Sequence, residues 1–152
     1  MRTELEKGEV EIAVFGEFAR QRDLLVEDST VKKLQPPNPD LSCEILGEGT
    51  VAFELVEICD ASMARLSSRG VEANGVYLRT SDPTRAVVEK KLRKQYQTAL
   101  PVELLCYSGQ VVSPDSTIIA EIQALLTQWP SPFQFRRVWL LGRKGVYQVW
   151  PW

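Results

Sequence analysis

Apolar positions along the chain change their period several times, and each change marks an element. Between Val10 and Leu25, Ile12, Phe15 and Ala19 fall on one line with Val14 and Phe18 beside it, the spacing of an amphipathic helix. Gly16 lies inside that helix and permits close packing at a small cost in propensity. Leu41 to Leu46 and Val51 to Ile58 are apolar-rich arms, and Gly47-Glu48-Gly49 between them supplies the positive φ of a hairpin turn. Alternation puts Glu54 and Val56 on one strand face, with Phe53, Leu55 and Glu57 on the other. Asp82 caps a helix with Pro83 in its first turn; it runs to about Thr98 on a stripe of Val88, Leu92, Gln95/Tyr96 and Ala99. Pro101 to Tyr107 is an almost unbroken apolar run, the pattern of a strand covered on both faces. Ser113-Pro114-Asp115 opens a helix carrying Ile118, Ile122, Leu125, Leu126 and Trp129, which Pro130 and Pro132 stop. Phe135 to Leu141 and Val146 to Trp150 are strands joined by Gly142-Arg143-Lys144-Gly145.

Less regular stretches lie between these. Val26 to Pro37 reads as a polar, basic connector. Three prolines among Pro36-Pro37-Asn38-Pro39 stiffen the approach to Asp40 and forbid helix there. Asp60 to Gly70 reads as a short helix with Asp60 as N-cap and Gly70 as C-cap, and Val76 to Arg79 as a brief strand. The order of elements predicts an α/β fold: one mixed central β-sheet flanked by helices on both faces, in a single domain over residues 1–152.

Composition narrows the chemistry. The 152 residues include no histidine, which removes Ser-His-Asp and Cys-His catalysis, His-ligated zinc and a histidine base. Cys43, Cys59 and Cys106 have no CxxC spacing and lie in or beside apolar segments, as reduced thiols do. Carboxylate–metal chemistry is the catalytic route left open. A net charge of −2 gives no global attraction to nucleic acid, although basic residues cluster at Arg85, Lys90, Lys91, Arg93 and Lys94 and again at Arg136, Arg137, Arg143 and Lys144. No run has the length of a membrane span and Met1 to Lys7 has no signal core, so the expectation is a cytoplasmic protein with no membrane partner. The apolar end Val149-Trp150-Pro151-Trp152 is expected to pack down or to contact a partner, a homodimer being one form.

Two acids stand out against this background. Asp40 opens one hairpin arm and Glu54 lies inside the other. A carboxylate in an apolar strand is costly to bury unless compensated. A divalent cation shared with Asp40 would compensate Glu54; so would a Lys or Arg partner, or partial exposure.

The stretch from Pro39 to Ile58 resembles the PD-(D/E)xK, or restriction-endonuclease-like, nuclease superfamily. Pro39-Asp40 matches its first element and Glu54-Leu55-Val56 its second, with Val56 standing where the superfamily has lysine. The resemblance implies a Mg²⁺- or Mn²⁺-dependent nuclease. Asp40, Glu54 and the Leu55 carbonyl would be its metal ligands, and Glu17 a supporting acid on the first helix. Some branches move the lysine to the following helix, which makes Lys91, or in reserve Lys94, its counterpart. Gln95-Tyr96 resembles the Gln/Tyr-bearing helix of exonuclease-like members. The alternative is a domain of the same fold that has lost catalysis with the lysine and binds a partner instead.

Overall fold

The computed structural model describes residues 3–59, 82–109, 111 and 113–152. The expected short helix at Asp60 to Gly70 and strand at Val76 to Arg79 lie outside the described residues. Helix α1 (Glu4–Arg22) is followed by β1 (Val26–Lys33), β2 (Leu41–Ile45) and β3 (Gly49–Ile58). Helix α2 (Thr84–Arg93), β4 (Val102–Ser108), α3 (Asp115–Gln128), β5 (Phe135–Leu141) and β6 (Val146–Trp150) complete the order. The strands form one six-stranded sheet in sequence order, with β3, β4 and β5 parallel and the outer pairings antiparallel. A mixed α/β sheet with helices on both faces is thus what the pattern of apolar residues encodes.

Each face has its own core. On one, Phe15 and Phe18 of α1 pack with Leu41, Val51, Phe53, Leu55, Leu105 and Trp139. Phe15 and Phe53 lie with ring centroids 4.9 Å apart, and Phe18 meets Trp139 edge-on at 5.3 Å. On the other, Val88 and Leu92 of α2 and Ile118 and Ile122 of α3 cover Ala52, Val56, Leu104 and Cys106. Glu54 shares a face with Val56, and Phe53 and Leu55 point to α1, as alternation requires. Cys43 is buried in the first core and Cys106 in the second; burial pushes their thiols up to about 11 and about 12.

Three departures from the sequence expectation shape the site. α1 begins at Glu4 rather than Val10, because Thr3 and Glu6 form a reciprocal capping box. The expected connector from Val26 contains a strand, β1. It is an edge strand whose register slips between Glu27 and Lys32, so the alternation resets midway, and its exposed residues are charged apart from Ser29. The helix expected to reach Thr98 ends at Arg93, where Lys94 turns extended. Gln134 explains that stop: its amide accepts from the Tyr96 N–H at 2.9 Å and donates to the Tyr96 carbonyl at 3.1 Å, satisfying that backbone as a neighbouring strand would. Gln95 and Ala99 are consequently exposed while Tyr96 is buried.

The turn between β5 and β6 is held from below. Asp115, buried at the first turn of α3, accepts from the Arg143 and Lys144 N–H groups at 3.0 and 2.9 Å. A Cβ on Gly142 would run into the Asp115 carboxylate. Gly142→Ala is therefore expected to cost about 1–3 kcal/mol, the usual penalty of overpacking, read as a lower denaturant midpoint at unchanged m-value. An unchanged midpoint would mean that the turn yields freely.

Candidate functional site

The β2–β3 hairpin builds the site by ending unevenly. Its ladder runs from Ile45↔Gly49 to Leu41↔Phe53, and the next positions in register are Asp40 and Glu54. There the chain leaves the sheet at buried Pro39 and side chains replace the backbone ladder. The Asp40 N–H donates to Glu54 Oε1 at 3.0 Å, and Asp40 Oδ2 accepts from the Leu55 N–H at 2.8 Å. A strand residue's N–H and C=O leave the same strand edge, so the Leu55 carbonyl faces the Asp40 side of β3. The proline-rich approach is fastened too: the Leu34 N–H bonds the Asp40 carbonyl and the Gln97 N–H bonds the Pro37 carbonyl.

Glu54 is 3% exposed, and α2 and the segment after it supply its partners. Lys91 Nζ lies 2.8 Å from Glu54 Oε2, and the Tyr96 hydroxyl donates to the same oxygen at 2.9 Å. The helix stop at Arg93 makes this possible. On one continuous helix Tyr96 would follow the helix surface; in an extended segment its hydroxyl turns onto Glu54.

From the other side α1 contributes Glu11, a buried acid on the face toward β1. Lys33, at the end of β1, donates to Glu11 Oε1 at 2.7 Å, and Glu11 stands close enough to Asp40 for the two carboxyls to influence one another. Three carboxyl groups stand in a row, Glu11, Asp40 and Glu54, with ammonium groups only at the two ends. With all three ionised, one negative charge is left over. Burial raises the Glu54 carboxyl above its ordinary 4.5, with the Asp40 charge adding to it and Lys91 opposing. Burial raises Glu11 as well, against the pull of Lys33. For Asp40 burial acts upward, but the Leu55 N–H and the neighbouring carboxyls keep it below 3.8 on balance. Burial and the Glu54 charge drive the Tyr96 phenol upward, so it acts as a donor.

Asp40, Glu54 and Lys91 are brought together, then, and Glu17 and Lys94 are not. Glu17 is turned to solvent on α1, bonded to Arg20 and Gln21, which hold its carboxyl down at about 2. The helix acid at the cluster is Glu11, nearly two turns earlier. Lys94 is exposed beyond the end of α2, and none of the three carboxyls is bonded to it. The signal for Glu11 lay in the helix start: once Thr3 sets it, Glu11 falls one turn before Phe15 on the buried side.

Among the described residues, no group of three Asp, Glu or Cys side chains is arranged to hold a metal by itself. The row does not close into a cage. Two carboxylates with one backbone carbonyl are nevertheless a donor set that Mg²⁺ accepts, since it keeps waters and phosphate oxygens for its other positions. The uncompensated charge at Asp40 and Glu54 fits a hard cation.

A cleft of about 700 Å³ opens onto Glu11 and Asp40 between α1 and the Lys33–Pro36 segment. A second groove of about 570 Å³ runs past Tyr96, between the end of α2 and the loop before β5. No helix among the described residues is long and apolar enough to cross a membrane. No family model matches the chain, and neither a curated protein nor a solved structure matches it.

Proposed function

We propose that this protein is a divalent-cation-dependent phosphodiesterase acting on nucleic acid, a PD-(D/E)xK-like nuclease in which Lys91 on α2 replaces the strand lysine missing at Val56. The observation that carries the reading is the Lys91 ammonium, 2.8 Å from Glu54 and next to the Asp40–Glu54 pair. Asp40, Glu54 and the Leu55 carbonyl would hold Mg²⁺ or Mn²⁺, which supplies Lewis acidity toward a phosphoryl oxygen and lowers the pKa of water. Lys91 stabilises negative charge developing on the phosphoryl oxygens, and its bond to Glu54 fixes its position. Tyr96 holds Glu54 Oε2 in place. Lys33 pairs with Glu11, the third acid beside the Asp40–Glu54 pair.

The test is a thermal melt with and without Mn²⁺. At a hundred times the dissociation constant the ion adds about 2.7 kcal/mol, or roughly 5–10 °C for a chain of this size. Asp40→Asn and Glu54→Gln should each abolish the rise. The rise should also fade on acidification, in a window that begins above 4.5, because the cation needs Glu54 ionised and its carboxyl is raised. A melting temperature indifferent to Mn²⁺ and Mg²⁺ at pH 8 refutes the reading.

A further inference from the structure

The two openings beside the carboxylate row differ in charge. The cleft over Asp40 carries Glu4, Glu9 and Glu11 against Lys7 and Lys33, an excess of acid that repels a polyanion. The groove past Tyr96 has Arg93 and Lys94 on its rim, and no acidic side chain lines it among the described residues. Its wall is aromatic. The Arg93 guanidinium lies 5.8 Å over the Trp129 ring, and Phe133 stands across from it. From Phe133 the aromatic surface continues out of the groove, edge-on to Trp150 at 5.7 Å and from there to Trp152 at 5.0 Å. Trp152 is 67% exposed.

We infer that this groove seats a single-stranded polynucleotide. Backbone phosphates meet Arg93 and Lys94, while unpaired bases stack on Phe133, on the Arg93–Trp129 pair and on Trp152. Half-buried Trp129 and Phe133 and exposed Trp152, set beside two cations, suit single strands because every base has a π-face, whereas a duplex hides those faces. Tyr96 lines the groove and its hydroxyl donates to Glu54, so one side chain of the groove wall touches the carboxylate row. What happens to the strand there rests on the phosphodiesterase reading; its seating does not.

The experiment measures fluorescence anisotropy of labelled oligothymidylate, oligouridylate and a duplex of equal length with the full chain in EDTA. Cleavage of the same oligonucleotides in Mn²⁺ is followed in parallel. Single strands should bind and the duplex bind far more weakly; the two homopolymers separate DNA from RNA as the preferred strand. The pair Arg93→Gln with Lys94→Gln should lower the log–log salt slope by about 1.4, at about 0.7 per phosphate lost from a single strand. Trp152→Ala, at an exposed terminal ring, should weaken binding about tenfold. Duplex binding as tight as single-strand binding, or a salt slope unmoved by the double substitution, overturns the inference. Strand binding without Mn²⁺-dependent cleavage leaves the groove standing and rejects the phosphodiesterase. Cleavage by a protein whose affinity ignores these residues does the reverse.

Discussion

Glu103→Ala unfolds at a midpoint roughly 6–20 °C below the parent protein, the counterpart of about 3–5 kcal/mol. Glu103 stands on the central strand β4, 2% exposed, yet all its partners are polar. Trp139 Nε1 donates to Oε1 at 2.6 Å, and Arg136 Nε and Arg137 Nη1 donate to Oε2 at 2.8 and 3.1 Å. A bulge makes the double arginine contact possible. Val102 pairs with Phe135 and Glu103 with Arg137, so β5 carries one extra residue there and turns two consecutive arginines toward a single carboxylate. Glu48, from the turn between β2 and β3, bonds both guanidinium groups and ties that hairpin to β5. Alanine at 103 leaves an indole N–H and two guanidinium groups facing an apolar gap. Gln retains an acceptor and should lose distinctly less, which separates hydrogen bonding from mere volume. A Glu103→Ala midpoint within a degree or two of the parent would show that water or Glu48 takes over.

Lys91→Met is the second large effect, and its sign depends on pH. The substitution keeps the stem that packs beside Glu54 and deletes the charge. Glu54 then holds a buried negative charge with only Tyr96 on Oε2, at a cost of about 3–5 kcal/mol while ionised. The carboxyl is already raised above 4.5 with Lys91 present, and without it rises further. In the window above 4.5 the folded state therefore binds more protons than the unfolded state, and stability drops as pH climbs. The penalty should be full at pH 8 and mostly gone near pH 4.5. On the phosphodiesterase reading, cleavage by the folded variant should fall about 10²–10³-fold, the loss of one preorganised group facing transition-state charge. Lys94→Met should change neither stability nor single-turnover cleavage at saturating substrate. Equal effects at 91 and 94, or a pH-independent penalty at 91, would remove Glu54 as the partner that matters.

Much of this fold is local in origin, which is why the sequence announces it. Gly47 and Gly49 adopt positive φ at the hairpin turn, and the adjacency of Asp40 and Glu54 follows by counting outward from that turn. The apolar run of β4, broken only by Glu103, gives the central strand. What the sequence hides depends on partners distant along the chain. β1 carries no clean alternation because its register slips. The end of α2 is decided by Gln134, nearly forty residues on, and no helix propensity anticipates a side chain that imitates a strand. Glu103, like Glu54, is an acid inside an apolar strand and demands a partner on the same grounds. Arg136 and Arg137 look like a solvated basic patch in sequence, and the bulge turns them inward.

The two core thiols give this protein a reporter on each side of its sheet. Cys43 senses the layer beneath α1, and Cys106 the layer beneath α2 and α3. With thiolate formation suppressed by burial, neither reacts with an alkylating reagent until its own layer opens. If both are modified at one common rate, the sheet comes apart as a single cooperative unit. If Cys43 is modified first, α1 peels away while the parallel strands and their helices hold.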